Sequence, residues 1–515
     1  MPDPRHAKPA APSTSKPGGQ TPTDRDRLAT LLRAQHPQVT IVTHEEAETR
    51  TLIENAVRDL GHHLWVWSVI EGVRDGLNDA MPISETSNPA AGLYWLSTQS
   101  LPTVMLLLDV ADHMDDPHAR RALRRLIDNA GTTGSHVILL DHNAGLPASV
   151  RAHATPFELT LPGDDEIEAH IKGELQGLHQ AAPIEIGMSG KTYRMIIKNL
   201  RGLNPRQIKQ VIRDVVAEDR RFDDDDLNAV LARKRQLVSA EGTLEYVESP
   251  ATIDDVGGLA TLKHWLAQRE KSFGDDAAAY GLTPPRGVLM LGVQGAGKSL
   301  CAKAIAPAWG RPLLRLAPGT LYDRFDGESE RRLRGALEQA EAMAPIVLWV
   351  DEIEKGFASA AAQSTDGGLS QRMFGTLLTW MQDHRAPVFL VATANNIEAL
   401  PPELLRKGRF DEIFFVDLPG AEAREAIFAI HLRKRDRDPA KFDLATLSAE
   451  SDGFSGAEIE QAILSALHEA FSQKAEPTTE SIFARLRESP PLSVTMAEKI
   501  ANLRSWAQDR CVPAG

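Results

Sequence analysis

The chain has 515 residues, 42% hydrophobic and 25% charged, with a formal net charge of −14. That length predicts about two to four domains, and the acidic balance disfavours indiscriminate nucleic-acid binding, whose affinity comes from neutralising phosphates. No apolar run nears the roughly 18 residues of a membrane span, no secretory signal is expected, and only two cysteines, Cys301 and Cys511, occur. A disulfide framework and a cysteine metal cluster are therefore excluded, and a reducing cytoplasm is the expected setting.

Residues 1–24 are rich in Pro, Ala, Ser, Thr and Gly and read as a disordered tail. An α/β module is expected over 25–165. Val39–Val42, Leu64–Val69, Val104–Val110 and His136–Leu140 read as strands, and Glu45–Leu60 as a helix. Alternation of this kind predicts a mostly parallel sheet covered on both faces. A small helical block follows over 166–236, where Ile208, Val211, Ile212 and Val215 recur at helical spacing. Residues 237–251 read as a linker. A second α/β block covers 252–420, and a helical lid with C-terminal helices covers 421–515.

The two halves share a plan. Gly202–Ile212 aligns without gaps on Gly453–Ile463, with Asn204 and Ser455 as matching N-caps. Asp109 corresponds to Asp351, and Asn143 to Asn395. The separations are 251, 242 and 252 residues, the pattern of a tandem duplication with small insertions.

The chemistry concentrates in the second half. Gly292-Val293-Gln294-Gly295-Ala296-Gly297-Lys298-Ser299 fits a phosphate loop, with an apolar strand before it and a helix starting near Leu300. Its glycines let backbone N–H groups face phosphates at a helix N-terminus. Lys298 would reach the β- and γ-phosphates of ATP, and the Ser299 hydroxyl would ligate Mg²⁺. The apolar strand Ile346–Val350 ends in Asp351 and Glu352. Asp351 would hold the Mg²⁺ through water, and Glu352 would activate the attacking water as general base. Asn395, at the end of a further apolar strand, is a candidate to orient that water or to read the γ-phosphate. Arg406 and Arg409 could stabilise charge on the transferred phosphoryl group. Cys301, just past the loop, reads as a buried small residue.

These motifs, with Asp255-Val256-Gly257-Gly258 before them and Gly453-Phe454-Ser455-Gly456-Ala457 after, resemble the classical branch of the AAA+ ATPases over residues 252–475. In detail they look closest to Ycf46-like AAA proteins of plastids and bacteria. Trp349–Gly356 and Leu503-Arg504-Ser505-Trp506-Ala507 carry that likeness. The resemblance implies a phosphate-loop NTPase sheet with a helical lid, preceded by a degenerate AAA+-like α/β module with its own small helical block. It implies an ATPase with Asn395 as sensor residue and with Arg406 and Arg409 acting as fingers on a neighbouring subunit's nucleotide. Val256 and Gly257 would lie beside the adenine. Ala457 would sit where other branches place a sensor arginine. It also implies a homo-oligomeric ring, a hexamer, acting on an unidentified protein client; an ATP-dependent switch or scaffold is the alternative. Phe325 falls where many members place a pore-loop aromatic, although Asp326, not an apolar residue, follows it; between Arg406 and Arg409, Lys407 replaces the usual Pro. In the first module no glycine loop follows Val42, and Val110 stands where the general base would be, so no nucleotide is expected there.

Overall fold

The computed structural model describes residues 22–515 except 79, 144, 153, 241, 249–250, 274, 318–327, 356–368 and 407. The described residues fall into two compact units that divide between Thr160 and Leu161. Phe325, Asp326 and Lys407 lie outside the described residues.

The first unit opens with helix α1 (Asp24–Arg33), where the sequence predicts the end of a disordered tail. The Thr23 hydroxyl caps it by accepting the Asp26 N–H at 3.2 Å. The Asp24 carboxylate is buried and accepts the Thr160 N–H at 2.7 Å and its hydroxyl at 2.9 Å. The strands are β1 (Gln38–Val42), β2 (His63–Ser68), β3 (Gly72–Asp75), β4 (Thr103–Leu108), β5 (His136–Asp141) and β6 (Thr155–Pro156), ordered β3-β2-β4-β5-β1-β6. All pairs are parallel except β2–β3. Helices α2 (Glu46–Leu60), α3 (Pro89–Ser97) and α4 (Pro117–Thr133) complete the unit. The buried side chains split into two clusters. Trp67, Leu107 and Leu139 belong to one, and Val66, Leu106 and Ile138 to the other. Alternate residues of each strand thus serve opposite faces, as a doubly covered sheet requires.

The second unit begins with helices α5 (Asp164–Ala181), α6 (Gly190–Leu200), α7 (Pro205–Asp219) and α8 (Asp226–Ala240). A two-residue parallel pair, β7 (Glu185–Ile186) with β8 (Arg221–Phe222), lies among them. Residues 237–251 do not form a plain linker. Leu237–Ala240 finish α8, and β9 (Leu244–Tyr246) pairs antiparallel with a strand of the next sheet. Leu244 is buried there, so this segment is part of the core rather than a tether.

That sheet contains β10 (Gly287–Gly292), β11 (Leu313–Leu316), β12 (Ile346–Val350), β13 (Val388–Ala394), β14 (Glu412–Val416) and β15 (Val512–Pro513). Its order is β15-β14-β10-β13-β12-β11-β9. The apolar runs of β10, β12 and β13 are buried throughout. Helices α9 (Ala260–Arg269), α10 (Lys298–Ala308), α11 (Glu328–Ala342) and α12 (Leu369–Asp383) flank it, and the lid contains α13 (Ala421–Arg433) and α14 (Gly456–Ser472). A last helix, α15 (Ala497–Ala507), precedes β15.

The helical block shares one hydrophobic cluster with this sheet. Ile212, Val215 and Leu203 belong with Leu337, Met343 and Leu348. Gly202 sits at φ +83°, and a Cβ there would fall 2.3 Å from the Met343 side chain. The Gln339 amide donates to the Gly202 carbonyl at 3.0 Å.

Candidate active site

The phosphate loop joins β10 to α10. Gly295 and Gly297 have φ of +76° and +95°, a region that excludes most side chains. A Cβ on Gly295 would lie 3.0 Å from the Ser455 hydroxyl and 3.2 Å from the Ala457 methyl. The start of α14 therefore rests on the loop, and the Ala457 N–H donates to the Gly295 carbonyl at 3.2 Å. Lys298 is buried, and its ammonium donates to the carbonyls of Gly292 at 2.9 Å and Val293 at 2.7 Å. Burial pushes its pKa down to about 8 against the opposing pull of Glu354, Asp351 and Glu352.

The ends of β12 and β13 supply the acids. The Ser299 hydroxyl donates to Asp351 Oδ1 at 2.9 Å, and the Thr393 hydroxyl donates to the same oxygen at 2.6 Å. Glu352 takes φ +48°, and its N–H donates to the Thr393 hydroxyl at 3.0 Å. The Asn395 amide donates to Glu352 Oε1 at 2.9 Å, while Lys355 pairs with Oε2 at 2.6 Å. Glu354 lies buried behind them. Its Oε1 accepts the Asn395 N–H at 2.9 Å, and burial raises the pKa of its carboxyl.

These groups converge on one cavity of about 370 Å³. Gln294–Leu300, Asp351, Glu352 and Asn395 line it from the core, and Gly456 and Ala457 from the lid. Val256 and Gly257 line its flank, where a Cβ on Gly257 would meet Ile427 at 2.5 Å. Five lining residues escape sequence reasoning: Thr393, Ile427, Ile430, His431 and Glu460. The signal for Thr393 is a lone hydroxyl inside the apolar run Val388–Ala394. His431 and Glu460 sit 3.4 Å apart on the lid, where burial lowers the histidine pKa and Glu460 opposes it; no local pattern marks them. Arg406 and Arg409 do not line this cavity. Arg406 is exposed, whereas Arg409 is 9% exposed, and among the described residues its Nε and Nη1 have no hydrogen-bond partner. Cys301 is fully buried, and its thiol pKa is pushed up to about 12.

The donor set fits a magnesium nucleotide. The loop carbonyls hold an ammonium at its mouth, the Ser299 hydroxyl and Asp351 form a hard oxygen pair suited to Mg²⁺, and open space faces the bare Cα of Gly297.

The first unit repeats this architecture in a frame one residue away from the sequence alignment. Val42, at the end of β1, pairs with Asp141, as Leu291 near the end of β10 pairs with Ala394. Leu107 pairs with Leu139 as Val350 pairs with Ala392. Asp109 therefore falls on Glu352 rather than Asp351, and His142 rather than Asn143 falls on Asn395. Two observations support that frame. Asp109 has φ +49°, matching the +48° of Glu352. His142 Nδ1 also lies 3.0 Å from Asp109 Oδ1, the counterpart of the Asn395–Glu352 bond. Leu108 then stands where the metal-side acid would be, so the acid replaced is Asp351 rather than the general base.

A parallel sheet carrying a phosphate loop beneath a helical lid defines an AAA-type ATPase. Residues 288–418 match the model of the ATPase family associated with various cellular activities. Residues 24–159 and 165–241 match the N-terminal and second domains of SpoVK-like AAA ATPases. The chain belongs to the family of Ycf46 AAA domain-containing proteins. It is 37% identical over 487 residues to the uncharacterized AAA domain-containing protein ycf46 of Pyropia yezoensis, covering 94% of this chain and 97% of that one. The namesake from Guillardia theta is 37% identical over 481 residues, covering 93% of each. Protein SAV of Sulfolobus acidocaldarius is 32% identical over 240 residues, covering 44% of this chain and 30% of its own length. Among the described residues no helix is long and apolar enough to cross a membrane.

Proposed function

We propose that the chain hydrolyses ATP with Mg²⁺ at a site completed by a neighbouring copy in an oligomeric ring, and that the cycle remodels a protein partner. The convergence of Lys298, Ser299, Asp351, Glu352 and Asn395 on one cavity carries this reading. Bound MgATP supplies the phosphoanhydride and the metal's neutralising charge. Lys298 would face the phosphates, and Ser299 and Asp351 would hold the metal, the latter through water. Glu352 takes the proton from the attacking water, and Asn395 keeps the Glu352 carboxylate aimed. Gly456 and Ala457 close the lid over the loop, so a change at the phosphates is felt by α14. Arg406 is exposed and apart from its own cavity, which suits a finger reaching a neighbour's nucleotide.

Glu352→Gln tests this reading: ATP binding should persist and turnover should stop. Full turnover in that variant would refute the general-base role. Arg406→Ala should lose hydrolysis and regain it when mixed with Lys298→Ala subunits in rings shown to be mixed. Failure of that rescue would count against action in trans.

A second reading, an ATP-dependent switch or scaffold, draws on the Lys355–Glu352 pair. The Lys355 ammonium occupies Glu352 Oε2 at 2.6 Å and the Asn395 amide occupies Oε1, so neither carboxylate oxygen is free to receive a proton until one of these contacts opens. Slow hydrolysis with tight, ATP-dependent partner capture would favour it.

A further inference from the structure

The lid places Ala457 against the phosphate loop, so this part of the cavity receives no cation from α14. The C-terminal helix also borders this loop, sharing a crevice with Val293 and Gln294. Met496, Ile500 and Leu503 line this crevice together with Val293, Gln294 and Asn395. Gln294 and Asn395 also line the nucleotide cavity, so the two spaces share these two residues. The crevice has a single charged lining residue, Lys499, in the first turn of α15. Lys499 is exposed and makes no ion pair among the described residues. Glu398 and Glu498 line the outer groove beside it. Further along α15, the Arg504 guanidinium forks onto Asp417, with Nε to Oδ2 at 2.8 Å and Nη2 to Oδ1 at 3.0 Å. The helix is thus anchored to the segment after β14, with its first turn behind the phosphate loop.

We propose that Lys499 reads the terminal phosphate of bound nucleotide across the Gln294–Asn395 wall, making α15 a second nucleotide-sensing element beside the lid. A mobile ammonium on a four-carbon stem can swing toward the added negative charge of ATP and away from it, to Glu398 and Glu498, when ADP remains. The anchored Arg504 then transmits the change in α15 to the edge of the sheet. Lys499 is a positioning and discriminating residue here, and Glu352 remains the general base.

The inference rests on the ATP-binding reading, and the experiment separates the two. ATP and ADP affinities are measured by fluorescent-nucleotide displacement for the full chain and for Lys499→Met, Lys499→Arg and Lys298→Ala. In Lys499→Met, ATP should weaken by about tenfold, as loss of one nearby charge predicts, while ADP stays within about twofold. Lys499→Arg should restore the wild-type ATP-to-ADP ratio. An unchanged ratio in Lys499→Met, an equal loss of both nucleotides, or failure of arginine to restore the ratio overturns the proposal. Intact ATP binding in Lys298→Ala would instead overturn the phosphate-loop reading on which it stands.

Discussion

Replacing Thr393 by Val keeps the shape of a side chain that is 1% exposed and removes its hydroxyl alone. That hydroxyl donates to Asp351 Oδ1 at 2.6 Å and accepts the Glu352 N–H at 3.0 Å. Losing a hydrogen bond to a carboxylate costs about 1.5–3 kcal/mol, and stranding the Glu352 N–H adds about 1–3 kcal/mol. The two overlap, so a net loss of about 2–4 kcal/mol in unfolding free energy is expected. Glu352 also sits at φ +48°, a backbone strain of about 1–3 kcal/mol for a side chain that prefers negative φ. The Thr393 bond helps hold that conformation, so the variant lets Glu352 relax away from its aim. Because each 1.4 kcal/mol or so is a factor of about ten in rate, kcat should fall about ten- to hundredfold. KM for ATP should move less than kcat, since Lys298 and the loop keep their own bonds and only the Asp351 side of the cavity is disturbed. Thr393→Ser should keep most of the rate. Steady-state ATPase assays with urea unfolding of both variants give the answer. Thr393→Val with wild-type kcat and wild-type stability would refute the role assigned to this hydroxyl.

Gly257→Ala should weaken ATP binding by about tenfold or more, because its methyl would fall 2.5 Å from Ile427 and the lid would have to retreat; calorimetric titration checks it. In the unliganded protein the depressed pKa of Lys298, about 8 against 10.5, gives a stabilising contribution present above pH 10.5 and lost as pH falls through about 8. The melting temperature of Lys298→Met minus that of wild type should therefore shrink as pH rises from 7 toward 10, and a difference independent of pH would contradict the buried-lysine account. ATP affinity of the wild type should fall as pH rises through about 8, where the ammonium discharges. Binding stoichiometry should be one nucleotide per chain and zero in Lys298→Ala, because the first unit carries Leu108 in place of the metal-side acid and has no glycine loop after Val42; two sites per chain by equilibrium dialysis would overturn that.

The site was legible where chemistry dictates residue type at fixed spacing. Gln294–Ser299, Asp351, Glu352 and Asn395 are such positions, and they come together in one cavity, whereas Gly292 and Val293 lie outside its lining and accept the Lys298 ammonium through their carbonyls. The N-cap reading of Asn204 and Ser455 also holds, since each side chain accepts its N3 backbone N–H. What the sequence hides depends on tertiary geometry. Thr393 is one hydroxyl in an apolar strand, and its two bonds exist only once β12 and β13 are paired. His431 and Glu460 come from different lid helices. Strands β9 and β15 are three and two residues long, too short to show a period, yet β9 turns an expected linker into an edge of the sheet. Asp24 belongs to α1 rather than to the tail that composition predicts, because its burial depends on Thr160, 136 positions away.

The one-residue shift of frame in the first unit has a larger consequence. Aligning strand-end acids by sequence makes Asp109 a retained metal acid and Val110 a lost base. Register and backbone angle make it the reverse: a retained carboxylate in the left-handed position, bonded to His142, beside a lost metal acid at Leu108. A left-handed non-glycine residue is costly, and nearly the same φ recurs at Asp109 and Glu352. The strand-end turn is therefore a property of the module's architecture that persists without the phosphate loop. In the second unit that turn presents Glu352 to the cavity beside Asn395; in the first it aims a carboxylate at a histidine, and the Asp109 hydrogen bond raises the His142 pKa. Persistence of turn geometry without the loop separates the two jobs of the fold. The sheet order and strand-end turn build the module, and the glycine loop, Lys298 and Asp351 make one copy of it chemical.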